Sequence, residues 1–140
     1  MNPLPPLAAV ASLCLLAGCE SAAEKQVDAA EDRIEQQADA SAAAAGPALA
    51  ALGLTETQLL DADLVSADGT DLGDVQQVRR SAGGDVEGLL IEIENSDPDR
   101  YVMIPLGGLA TRKKGDDIDL QTSLTADDLN KMPAVNITGR

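Results

Sequence analysis

The chain has 140 residues, with 10 Lys and Arg against 24 Asp and Glu, no His, and a net charge of −14. Such acidity repels nucleic acid and anionic headgroups, and the lack of His removes the commonest metal ligand and the commonest general acid–base. A single Tyr, with no Phe or Trp, excludes a nucleic-acid platform of stacked aromatics and leaves the core to aliphatic side chains.

Residues 7–16 read LAAVASLCLL, an apolar run with the length of a signal h-region and too short to span a bilayer. It closes on Leu16-Ala17-Gly18-Cys19, the pattern of a lipobox. Residues 1–18 are therefore expected to leave as a lipoprotein signal peptide, with Cys19 lipidated, because only cysteine offers a thiolate for the thioether. Each buried methylene contributes about 0.8 kcal/mol, so two or three acyl chains anchor firmly where one is marginal. One feature departs from the pattern: residues 1–6 carry no Lys or Arg, although an n-region is normally positive. A start further upstream would restore it. Cys14 leaves with the signal, so the mature chain is expected to have no free thiol, disulfide or thiolate metal ligand.

Residues 19–54 read as an Ala- and Glu-rich tether. Helix propensity is high over 21–45, but the heptad positions Val27 and Ile34 are followed by Ser41. Like charges at Glu24/Asp28, Asp28/Asp32 and Glu31/Glu35 each oppose a helix slightly. An exposed helical or disordered spacer is expected, holding the next domain about 30–50 Å from the bilayer. A short oligomerising coiled coil is the competing reading. Gly46-Pro47 and Gly53 end the segment.

Residues 55–140 are expected to form the folded domain. Strands are predicted at 62–65, 72–80, 86–94, 100–104, 108–111 and 118–121, separated by turns at Asp68-Gly69 and Gly83-Gly84 and a loop over 95–99. In the third strand Leu89, Ile91 and Ile93 share a face opposite Glu92 and Glu94. In the second, Leu72, Val75 and Val78 lie three apart, and a bulge after Gly73 would let all three face inward. Thr55 with Gln58, and Thr125 with Asp128, predict capping boxes of two brief helices, the second stopped by Pro133 and stapled by Leu124 and Leu129. The whole predicts a mainly β fold, a small antiparallel β-barrel with short flanking helices.

The segments Leu64-Val65-Ser66-Ala67-Asp68-Gly69, Leu72-Gly73-Asp74-Val75, Val86-Glu87-Gly88-Leu89 and Tyr101-Val102-Met103-Ile104-Pro105-Leu106 resemble the PRC-barrel signature, and residues 124–133 are similar too. The resemblance covers about residues 60–133. It implies a small barrel used for protein contacts and assembly, without catalytic machinery. The family includes the photosynthetic reaction-centre H subunit and the ribosome maturation factor. Here the expected membrane attachment is a lipid on Cys19 where the first has a helix, and these 140 residues show no counterpart of the RNA-related domain of the second, so neither partner is expected to carry over.

Few residues look like a site. Asp68-Gly69-Thr70-Asp71 lacks the alternating oxygen ligands of a calcium loop and reads as an Asp-capped turn. Asp116, Asp117 and Asp119 are compatible with a weak divalent site but read as a solvated loop entering a strand, with Asp119 on its outer face. Arg112, Lys113 and Lys114 form the one basic run and are candidate partner contacts on a loop beside Gly115. There is no nucleophile–base set, and a small barrel leaves little room for the cleft of a carboxylate-pair hydrolase. No catalytic residue, metal or cofactor is expected. The chain reads as a non-enzymatic, lipid-anchored envelope protein facing the periplasm. It would be held to the membrane through Cys19, and would bind an envelope protein through an exposed edge or the loops at 95–99 and 112–115. The alternative is a periplasmic small-ligand or cation-sensing module.

Overall fold

The computed structural model describes residues 21–139. The signal segment 1–18 and Cys19 lie outside the described residues. Helix α1 (Ala22–Ala45) opens the structure, followed by a small β1–β2 hairpin (Leu49–Ala51, Leu54–Thr55) and α2 (Glu56–Leu60). The main sheet comprises β3 (Asp63–Val65), β4 (Asp71–Arg80), β5 (Val86–Ile93), β6 (Tyr101–Pro105), β7 (Leu109–Lys114) and β8 (Asp117–Thr122). A 3-10 turn, Leu106–Gly108, links β6 to β7, and α3 (Ala126–Lys131) follows β8.

Local chemistry accounts for the helix starts. Thr55 Oγ1 accepts from Gln58 N–H at 3.2 Å while Thr55 N–H donates to Gln58 Oε1 at 3.0 Å. Thr125 and Asp128 make the equivalent reciprocal pair at 3.2 and 2.9 Å. Ser21 and Glu24 cap α1 in the same manner. Each box meets two backbone donors that the helix itself leaves unpaired.

The sheet order is β6-β5-β4-β3-β8-β7, and β3 runs parallel to β8. This corrects the expected antiparallel barrel: the sheet is mixed and open, and its edges β6 and β7 are not paired with each other. Two contacts explain the difference. The chain leaving β6 crosses to the far side and returns as the β7–β8 hairpin, so β8 meets β3 in parallel. The free side of β6 meets the chain's own C-terminal segment, where Val135 N–H donates to the Tyr101 carbonyl at 2.8 Å.

Strand β4 shows why its apolar residues sit three apart. The register shifts opposite Leu64/Val65 and again between Val75 and Gln77. Each extra residue inverts the alternation, so Leu72, Val75 and Val78 all enter the core. The second shift lies at Gln76, further along than the one expected directly after Gly73. Gly73 itself, at φ +153°, sits where a Cβ would run into the Glu92 carbonyl.

The main core fills one face of the sheet. Leu64, Leu89, Ile91, Val102, Ile104 and Leu120 pack beneath Leu59 of α2 and Leu129 of α3. The opposite face is covered as well, which the sequence reading did not anticipate. Leu90 and Tyr101 point that way and meet Ile34 of α1, with Val135 and Ile137 alongside. Ala30, Ile34, Ala38 and Ala42, four apart, are the buried stripe of α1. Residues 22–45, expected as an exposed spacer, are thus a helix seated on the sheet. The stripe has a period of four and is three-quarters Ala, so a heptad search through Val27, Ile34 and Ser41 passes over it. Small side chains let the helix backbone approach the strands closely.

Ile34 is the one large side chain in that stripe. Ile34→Ala is expected to lower the unfolding free energy by about 2 kcal/mol in a urea titration. A loss below about 0.5 kcal/mol would show that α1 is not a structural layer of the domain.

Candidate functional site

The face beneath α1 carries a row of polar side chains, one from each strand of the sheet. Tyr101 on β6 is paired with Glu92 on β5, Glu92 with Asp74 on β4, and Asp74 with Asp63 on β3. Asp63 and Asp119 each lie one residue ahead of the paired Leu64 and Leu120, and Asp119 is paired with Arg112 on β7. Four carboxylates therefore stand side by side between a phenol and a guanidinium. Like charges directly opposite on neighbouring strands are destabilising, so this row is a standing cost within the fold.

Two of its features soften that cost. Gln76 Nε2 donates to Glu92 Oε2 at 2.9 Å, and Lys114 Nζ lies 4.0 Å from Asp63 Oδ2. Protonation is favoured as well. Burial, then the charges of Asp71, Asp74 and Asp119, raise the Asp63 carboxyl above its ordinary range, against a small opposing pull from Lys114. Burial, then Asp71 and Glu94, raise Asp74, while a hydrogen bond from Asp63 acts the other way. Burial, then Asp99, Glu31, Asp74 and Glu94, raise Glu92. The Tyr101 phenol is pushed far up by burial and by its hydrogen bond to Glu31 Oε1 at 2.8 Å.

Helix α1 adds acid to this face. Glu31, Glu35 and Asp39 form a row four apart beside the buried stripe. Glu35 and Asp39 join Asp61, Asp63, Asp74 and Gln76 around a groove of about 350 Å³ between helix and sheet. Such a surface attracts cations diffusely. Among the described residues, however, no three His, Cys, Asp or Glu side chains are arranged to hold a metal ion.

The sequence-predicted residues fall as follows. Asp68 is exposed in the turn before β4. Its carboxylate accepts from Thr70 N–H at 3.3 Å and from the Ser66 hydroxyl, and these bonds lower its pKa. It is the expected Asp-capped turn. Asp116 and Asp117 are exposed at the β7–β8 turn. Asp119 does sit on the face away from the main core, but at 4% exposure it is buried, not solvated as expected. Arg112, Lys113 and Lys114 are exposed, but they lie within β7 and not on a loop. The pairs Arg112–Asp119 and Lys114–Asp117 set opposite charges across the hairpin, which favours extending the strand to Lys114. Cys19 lies outside the described residues.

One ion pair was missed entirely. Glu56, at the start of α2, is 1% exposed and accepts from Arg80 Nη2 at 2.7 Å. Arg80 also donates to the Gly84 carbonyl at 3.0 Å, fastening the end of β4 to α2 and to its own hairpin turn. Twenty-four residues separate the partners, and no spacing rule links them. No described helix is long and apolar enough to cross a membrane. No family model matches the sequence, and no curated protein matches it.

The carboxylate row makes stability depend on pH in a definite direction. Asp63, Asp74 and Glu92 bind protons more tightly folded than unfolded, so the native state holds the extra protons just above the ordinary carboxylate range, about pH 4. Their contribution is greatest in acid and is lost as pH rises through the raised values. Asp74→Asn is accordingly expected to stabilise the protein at pH 7 by up to about 1 kcal/mol, a figure limited by solvent screening. It should also flatten the decline of melting temperature between pH 4 and pH 7. An equal or greater loss of stability at pH 7 in the variant would contradict the assigned repulsion.

Proposed function

We propose that this is a non-enzymatic, lipid-anchored protein of the bacterial cell envelope, facing the periplasm, whose PRC-barrel-like domain contacts other proteins. The observation that carries the reading is Leu16-Ala17-Gly18-Cys19 at the end of an apolar run. The likeness to the PRC-barrel family is supported by where its short motifs fall. Leu64 and Val65 lie in β3, Leu72 to Val75 in β4, Val86 to Leu89 in β5 and Tyr101 to Pro105 in β6, all strands of one sheet. The polar groups of the outer face, covered by the chain's own α1, do not favour a reaction centre. They form a row of four carboxylates between Tyr101 and Arg112 and offer no nucleophile paired with a base.

The docked helix changes what the anchor does. Helix α1 is capped by Ser21 and begins at Ala22. From Cys19 to Ser21 the chain reaches only about 7 Å. With α1 seated on the sheet, a lipid on Cys19 holds the domain against the bilayer, in place of the 30–50 Å stand-off expected of a free spacer. Near the middle of α1, Glu31 and Ile34 meet Tyr101 and Leu90 on β6 and β5.

Cys19→Ala is expected to move the protein from the detergent phase to the aqueous phase in a Triton X-114 partition and to abolish incorporation of a labelled fatty acid. Retention of either property in the variant would refute the anchor.

A further inference from the structure

Two edges bound the sheet, and the chain treats them differently. At β6 the C-terminal segment lies alongside, with Val135 bonded to Tyr101 and with Val135 and Ile137 packed next to Ile34. At β7, among the described residues, 109–114 pair with β8 alone. An antiparallel ladder turns alternate backbone N–H and C=O groups away from its partner, so β7 presents a line of unmet donors and acceptors. Its last five residues are all exposed.

Charge selects the occupant. Lys113 projects to one face of β7 and stands exposed beside the open edge, while on the other face Arg112 lies against Gly69 of the β3–β4 turn and Lys114 reaches toward Asp63, so an added strand meets Lys113 directly and the other two cations through their stems and field. These are three of only 10 basic residues in a chain of net charge −14. Among the described residues neither Arg112 nor Lys113 has an ion-pair partner, and Lys114 reaches Asp63 only at 4.0 Å with both side chains substantially exposed. A second copy is a poor fit, because β7 against β7 sets cation against cation, and lysine on an edge strand is a guard against self-pairing. An extended segment with carboxylates at alternating positions fits both the backbone line and the cations.

We propose that β7 is a docking edge that takes an extended acidic segment of a partner protein as a seventh strand. The inference rests on the reading of the domain as a protein-contact module and supplies its contact mode: backbone bonds for affinity and carboxylate–cation pairing for selection. Among the described residues α1 meets Tyr101 on β6 through Glu31 and Ile34, and β7 is at the opposite end of the strand order.

The test titrates isotope-labelled protein with a short peptide alternating Glu and Val, and with its Lys-for-Glu counterpart. The acidic peptide is expected to shift the amide resonances of residues 109–114, to slow hydrogen exchange at alternate positions of β7, and to bind more weakly as salt is raised. Lys113→Glu, an exposed site whose reversal leaves the fold intact, should weaken binding at least about fivefold, and Lys113→Gln should weaken it less. Asp97→Asn, in the β5–β6 loop, should leave it unchanged. Three results would overturn the proposal: no β7 shifts with millimolar acidic peptide, equal binding of the Lys peptide, or self-association of the protein that Lys113→Glu changes. Photo-crosslinkers placed at Lys113 and at Asp97 of the anchored protein in cells separate this failure from that of the parent reading. A protein adduct at Asp97 alone overturns the edge and keeps the contact module; adducts at neither position overturn both.

Discussion

The whole arrangement depends on β5 being buried on both faces. Leu89, Leu90 and Ile91 follow one another and all are 0% exposed. In a strand, neighbours point to opposite sides, so one layer of cover cannot bury all three. Helices α2 and α3 and the β1–β2 hairpin close over Leu89 and Ile91. Leu90 needs a second layer, and α1 supplies it with Ile34, aided by Tyr101. The helix is thus bound by the sheet's own demand for cover, not by its helix propensity. That requirement turns a segment with the composition of a solvated spacer into part of the domain.

The same docking shapes the electrostatics. By covering the outer face, α1 lowers the solvation of Glu92 and Asp74 and brings Glu31 close to Glu92. The helix is held by a thin apolar stripe and by the Tyr101–Glu31 hydrogen bond, and opposed by acid facing acid. Binding of α1 and the protonation of this face are therefore linked. The net negative charge is not spread evenly, either. Carboxylates gather on the outer face and around the groove beside α1, whereas the cations of β7 stand at the far edge. A uniform charge count hides this division, which sets one edge of an acidic protein apart as the place where another acidic chain can approach.

Much of the fold was legible in the residues. The capping boxes at Thr55 and Thr125, the alternation through Leu89, Ile91 and Ile93, and the glycine-marked turns are local signals, and local signals set the elements to within a few residues. The bulge needed by Leu72, Val75 and Val78 was legible too, because a spacing of three breaks strand alternation, and a helix, the competing reading, had to fit between two Gly-containing turns. What escaped was non-local. The parallel pairing of β3 with β8 depends on the route of the chain between β6 and β7. The Glu56–Arg80 pair joins residues that only the folded sheet brings together. The polar row of Tyr101, Glu92, Asp74, Asp63, Asp119 and Arg112 exists only once five registers are fixed, although each member was visible as a charged or polar position. The α1 stripe escaped for another reason: Ala30, Ala38 and Ala42 bury little area each, so they register as helix formers before they register as a contact surface.

The most direct test of the docked helix uses the chain's single aromatic ring. With no Phe, Trp or His in the sequence, every aromatic side-chain proton belongs to Tyr101. A nuclear Overhauser spectrum of the folded protein should show cross-peaks between the Tyr101 ring and the methyl groups of both Ile34 and Leu90, with the Ile34 methyls displaced by the ring current. A spectrum with Leu90 contacts present and Ile34 contacts absent, the Ile34 methyls at their random-coil positions, would contradict the account and return residues 22–45 to a free spacer.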